Sequence, residues 1–295
     1  MKNFRQHSEA YLEVMRRRGY SEKSLALYQR ILGDYGDQCR AAGEVTSITA
    51  RDLEAYRLVL VERKFSPASL DAYLRTVRRF FTWLTEEQVL FENPALGLAI
   101  PRPPRKLLPV PTQKDMASLL EVIETDRAGG VRDRALIETA YATGVRRAEL
   151  IGLRIADVNL DRRTLRVLGK GRKERMVPTG RNAGDWLTRY LKEARPQLAA
   201  VEEECDALWI SQHGKPMSYH GLNEVLKRLT HKAGLRPFGH HAIRRACATH
   251  MLQAGAHPSQ IQLLLGHSGL KTLSQYLRVS ITELQQAHAR QNPGK

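Results

Sequence analysis

Cysteine is scarce in this chain of 295 residues, and its three copies, Cys39, Cys205 and Cys247, form no Cys-x-x-Cys pair. That scatter excludes a disulfide framework and a thiolate zinc site, and it fits a reducing compartment. Long apolar runs are missing too. None approaches the ~18 residues that would span a bilayer. The opening MKNFRQHSEAYLEVMRRRG is too polar for a secretory leader. The expected setting is therefore the cytoplasm, beside the nucleoid, with no membrane partner. Internal repeats and low-complexity tracts are absent. Acidic residues are also short in supply: 31 Asp and Glu face 47 Lys and Arg, a net charge of +16. The deficit is uneven. Residues 1–100 carry 15 basic and 13 acidic side chains, whereas residues 101–295 carry 32 and 18. A positive excess concentrated in one region favours a polyanion, because each phosphate contact releases condensed counterions.

What is present divides the chain. GLAIPRPPRKLLPVPT, residues 97–112, holds five prolines interleaved with Arg102, Arg105 and Lys106. Such a segment resists helix and sheet and serves as a semi-rigid basic spacer. Residues 1–96 read as four helices with one basic face. In SPASLDAYLRTVRRFFTWLTEE, Leu70, Tyr73, Leu74, Val77, Phe81 and Leu84 recur at helical spacing and should face a core. Arg75, Arg78, Arg79 and Thr82 should lie opposite. Beyond the spacer, TQKDMASLLEVIET and VRDRALIETAYATG read as amphipathic helices. NLDRRTLRVLGKGRKERMVPTG then reads as short antiparallel strands, with Leu165 and Val167 alternating against Thr164, Arg166 and Leu168, and a hairpin turn bracketed by Gly169 and Gly171. Helices resume through NAGDWLTRYLKEARPQL and SYHGLNEVLKRLTHKAG and across 240–290. The fold class expected is mainly α with a small antiparallel β-sheet, in two domains.

Several residues could carry chemistry. Gly144 ends one helix and another starts at Arg146, where the helix dipole disfavours a cation unless an anion is the ligand. Arg147 is adjacent, so either arginine could reach in. Lys170, in GKGRKER, sits on a turn flanked by glycines and could protonate a leaving alkoxide, or it could be an exposed basic turn. In PFGHHAIRRACATHMLQAG, His241 and Arg244 lie three apart and share a helical face, while His240 and Arg245 should point elsewhere. An acid–base group paired with a fixed cation suits phosphoryl transfer. The spacing of His240, His241, Cys247 and His250 matches no zinc pattern. His267 follows a helix-ending glycine, and Tyr276 falls in a further helical stretch. A phenol with pKa ~10 needs help to act as a nucleophile.

Taken in order, TGVRRAEL, GKGRKER, HHAIRR, LLGH and Tyr276 resemble the boxes of the tyrosine recombinases, or phage-integrase family, and of their Xer branch most closely. The resemblance covers nearly the whole chain. It implies an N-terminal four-helix SAM-like core-binding domain (1–96), a linker (97–112), a mixed α/β catalytic domain of the DNA breaking-rejoining type (113–280) and a protomer-docking tail (281–295), closing as a C-shaped clamp on DNA. It implies catalytic roles for Arg146, Lys170, His241, Arg244, His267 and, as nucleophile, Tyr276. No cofactor or metal is implied. The partner implied is double-stranded DNA with paired inverted sites, held by a homotetramer on two sites, with any accessory or partner recombinase unspecified. Lys23, Arg75, Arg78, Arg172 and Lys227 are the expected DNA contacts. Arg245 stands where Xer proteins typically have histidine, and TLSQYLRVS departs from their TTQIYTHV. A type IB topoisomerase and a catalytically silent DNA-binding regulator are the alternatives. The tail helix speaks against the first, and the full set of matched positions against the second.

Overall fold

The N-terminal helices are fixed at their ends by side chains the sequence supplies. The computed structural model describes residues 3–38, 44–101, 109–169, 173–199 and 205–266. It divides into two units, Met1–Leu107 and Leu108–Lys295.

In the first unit, α1 (Phe4–Arg17) opens on a reciprocal cap. Asn3 Oδ1 accepts from the Gln6 N–H at 3.0 Å, and Gln6 Oε1 accepts from the Asn3 N–H at 3.0 Å. Helices α2 (Glu22–Gln38), α3 (Ala50–Glu62) and α4 (Pro67–Glu86) follow. Ser66 caps α4 and Pro67 takes its first turn, where a missing N–H costs nothing. Leu70, Tyr73, Leu74, Val77, Phe81 and Leu84 are all buried, as their spacing predicts. Thr76, Phe80 and Trp83 are buried as well, so α4 is covered over more than one stripe. Phe4, Tyr11, Tyr35, Phe80, Phe81 and Trp83 form a largely edge-to-face cluster there, with centroids 5.2–6.1 Å apart. Asp34 ties α2 to α3 by accepting from Tyr56 Oη at 2.8 Å and Arg63 Nη1 at 2.9 Å. Arg78 departs from expectation. It is half-buried, and its guanidinium donates to the carbonyls of Ala95 (3.2 Å) and Leu98, which the loop after α4 brings over it.

The second unit begins with α5 (Gln113–Glu121), capped by Thr112, and α6 (Ala128–Thr143). The sequence suggests an amphipathic α6. Instead it is buried nearly all round, with Arg132, Asp133 and Glu138 inside. Those charges are neutralised locally: Asp133 accepts from Arg132 Nε (2.9 Å) and from Arg228, and Glu138 from Arg134 Nε (3.0 Å). Helix α7 (Arg147–Ile151) leads to strands β1 (Val158–Asn159), β2 (Thr164–Leu168) and β3 (Glu174–Pro178), an antiparallel sheet in that order. Leu165 pairs Val177 and Val167 pairs Arg175, with Leu165, Val167 and Val177 turned to the core.

Helix α8 (Gly180–Arg189) runs through a π turn, Tyr190–Ala194, into α9 (Arg195–Leu198). Pro196 explains the irregularity, since it has no N–H for the carbonyl of Lys192. The sequence then forms α10 (Tyr219–Lys232), α11 (His240–Gln253) and α12 (Pro258–Leu265). Among the described residues no helix is long and apolar enough to cross a membrane.

Candidate active site

Three segments meet behind Gly144. It ends α6 with φ +56°, and a Cβ there would stand 2.6 Å from Leu265 Cδ2 and 3.0 Å from Cys247 Sγ. Only glycine allows both the left-handed turn and the approach of α11 and α12. Two residues on, Arg146 sits just before α7. Its Nη1 donates to Glu149 Oε1 (2.8 Å), its backbone N–H to Oε2 (2.7 Å), and its Nη2 to the carbonyl of Gly266 (3.0 Å). The two neighbouring arginines take different partners here. Arg146 joins this cluster, while Arg147 lies over the Tyr219 ring at 4.8 Å.

Arg244, on α11, is 5% exposed. Its guanidinium donates to the carbonyls of Gly144 and Leu265, the latter at 2.8 Å. A third arginine completes the group. Arg175 of β3 makes a forked pair with Glu149, Nη1 to Oε1 at 3.1 Å and Nη2 to Oε2 at 2.8 Å, and Nε donates to the Leu264 carbonyl at 3.3 Å. The last three carbonyls at the α12 terminus, which the helix itself leaves unsatisfied, are thus each met by an arginine: Leu264 by Arg175, Leu265 by Arg244 and Gly266 by Arg146. Two guanidinium groups, of Arg146 and Arg175, share the Glu149 carboxylate, and that of Arg244 is held by carbonyls alone, so positive charge is in excess and already oriented. Burial works to raise the Glu149 pKa. Hydrogen bonds from Arg175 and from the Arg146 backbone and side chain outweigh it and hold the value to about 2.

Glu149 and Arg175 are absent from the residues singled out by sequence, yet each left a trace. Glu149 stands three residues after Arg146, the spacing of a reciprocal helix cap. Arg175 shares strand parity with Val177, which points inward.

His241 is exposed on the first turn of α11, and its pKa is lowered by partial burial and by Arg147, Arg244 and Arg245. His240, expected to point away, is instead 2% exposed, and neither ring nitrogen has a partner among the described residues. Burial first, then the charges of His241, Arg244 and Arg147, lower its pKa to about 3. The His240 imidazole is therefore neutral at pH 7. Among the described residues no group of three or more His, Cys, Asp or Glu could hold a metal.

Of the expected DNA contacts, Lys23, Arg75 and Lys227 are exposed, with Arg75 Nε on Asp71 Oδ1 at 2.7 Å. Arg78 is committed to the carbonyls described above. Lys170, Arg172, His267 and Tyr276 lie outside the described residues.

Against this geometry, comparison with known proteins is direct. Residues 110–283 match the model of the phage integrase family, and residues 8–90 match the phage integrase N-terminal SAM-like domain. The tyrosine recombinase XerD of Oceanobacillus iheyensis is 32% identical over 94% of this chain and 94% of its own length. The tyrosine recombinase XerC 2 of Ralstonia nicotianae is 35% identical over 98% of this chain and 86% of its own. In fold, the chain is similar to the XerH site-specific recombinase bound to palindromic difH in a post-cleavage complex, with a TM-score of 0.74, 23% identity, and 92% and 81% of the two chains covered. This chain belongs to the phage integrase family and is similar in sequence to Xer tyrosine recombinases within it.

Proposed function

We propose that this chain, a DNA strand-transfer recombinase by family, cleaves and rejoins DNA at specific sites through a 3′-phosphotyrosine intermediate. The Tyr276 phenolate oxygen forms the new bond to phosphorus, and the bond from phosphorus to the 5′-oxygen breaks. Arg146 and Arg244 hold the non-bridging oxygens and neutralise the charge that grows in the transition state. Lys170 gives its proton to the departing 5′-oxygen, His241 takes the phenol proton, and His267 donates a hydrogen bond to the phosphate. The phosphoester bond energy is kept in the covalent link, so the step needs neither ATP nor a metal. Attack by a partner strand's 5′-hydroxyl reverses the chemistry on a new duplex and creates a Holliday junction. The partner is double-stranded DNA with paired inverted sites, bound by a homotetramer in the cytoplasm. The biological task is dimer resolution of the Xer kind or movement of a mobile element.

One observation carries this reading. Arg146 and Arg244, from segments a hundred residues apart, are both held by the carbonyls at the end of α12, so the cations are set before any phosphate arrives. The test uses a nicked suicide duplex carrying a site selected by the wild-type protein from random-sequence DNA. Wild type should yield a covalent adduct on a denaturing gel, and Tyr276→Phe should bind the duplex but yield none. An adduct from the phenylalanine variant would overturn the assignment of the nucleophile. A requirement for two DNA sites separates recombination from topoisomerase-like relaxation.

A further inference from the structure

Arg147 stands apart from the other half-buried arginines of its unit. Arg134 is spent on Glu138 and the Leu120 carbonyl, Arg175 on Glu149, and Arg195 on the carbonyls of Cys205 and Ala207. Arg147 is half-buried too, but among the described residues no carboxylate or carbonyl accepts from it. It is held by a face instead: its guanidinium carbon lies 4.8 Å from the centre of the Tyr219 ring, at the start of α10. Stacking fixes the plane of a guanidinium while leaving its N–H edge open for acceptors. The stacked group is also close to the reaction centre. It follows Arg146 directly, and its charge bears on both His240 and His241.

We propose that Arg147, oriented by the Tyr219 ring, binds a DNA phosphate flanking the one that Arg146 and Arg244 grip, and so fixes the register of the strand in the site. The inference rests on the recombinase reading above. A phosphodiester is the ligand chemistry the arrangement fits: a planar fork of donors that no acid among the described residues engages, in the region that carries the chain's positive excess. Arg147 is a binding and positioning group and makes no bond to the reacting atoms. The tyrosine supplies orientation through its ring, so its hydroxyl is dispensable.

The experiment uses the full chain and the selected duplex described above, with the wild-type adduct as control. Arg147→Met keeps the apolar stem on Tyr219 and removes the charge. Affinity should fall about tenfold, and the slope of log K against log salt should drop by about 0.9, the loss of one phosphate contact. Tyr219→Phe should match wild type, whereas Tyr219→Leu should lose part of the affinity. Phosphates near the cleaved one are then replaced singly by neutral methylphosphonate. At one flanking phosphate the replacement should weaken wild type but leave Arg147→Met unchanged. If the variant keeps the wild-type salt slope, or if every replacement weakens both proteins equally, the proposal fails. A wild-type protein that forms no adduct points instead to failure of the recombinase reading.

Discussion

At His240 a neutral imidazole has been carried into the interior with both ring nitrogens unpaired among the described residues. Each polar atom so treated costs free energy that no contact among the described residues returns. Replacing it with an apolar residue of similar bulk should therefore stabilise the protein. His240→Leu should gain about 1–2 kcal/mol at pH 7, read as a rise in Tm. The pH dependence has a definite sign. The folded pKa is about 3 and the ordinary value 6.5, so between them the unfolded chain binds a proton that the folded chain refuses. Wild type loses this stability as pH falls from 6.5 towards 3, the leucine variant does not, and the gap should widen between pH 7 and pH 5. A lower Tm for the variant would sink the argument. This residue also marks a limit of legibility. The His-x-x-Arg box was plain in the sequence, but which of two adjacent histidines goes inside depends on how α11 packs against its neighbours, α6 among them. No local pattern encodes that.

At the scale of elements, one carboxylate fastens the start of α7 to β3 through arginines that also hold the end of α12. Glu149 is 8% exposed, and its carboxylate serves both Arg146 and Arg175. Its pKa is held near 2 against an ordinary 4.5, so it contributes stability that is complete above 4.5 and lost as pH falls towards 2. Glu149→Gln should lower stability by about 2–3 kcal/mol at pH 7. The difference between variant and wild type should shrink between pH 4.5 and 2 in thermal melts. A gap that stays constant with pH would show that charge is not what Glu149 contributes. The elements themselves were largely readable. The apolar stripe of α4, the alternation of β2 and the glycine stop at Gly144 all follow from spacing. The burial of α6 was not readable, because Arg132, Asp133 and Glu138 look like a solvated face in one dimension. They are inside because Arg132 pairs Asp133 and Arg134 pairs Glu138 within the helix, and Arg228 of α10 joins Asp133 from a distant segment. The half-burial of Arg78 was not readable either, because its partners are backbone carbonyls, which leave no mark in composition.

For the molecule as a whole, the charge asymmetry sets the physics of its encounter with DNA. Nearly all of the +16 lies in residues 101–295. Some of the basic side chains there are already engaged inside the protein, as the pairs of Arg132, Arg134 and Arg175 show. An internally paired arginine releases no counterion from DNA, so the count of basic residues overstates the number of phosphates that can be met. The slope of affinity against salt counts only cations that reach phosphate, which makes it the measurement that separates the two populations. If six or more do so, affinity for a mixed-sequence duplex should fall by about 10³-fold or more between 50 and 200 mM salt. Fluorescence anisotropy on a labelled duplex at four salt concentrations would give the slope. A decline of tenfold or less would mean that the excess is spent on the protein itself, and the charge argument for a DNA partner would then lose its force.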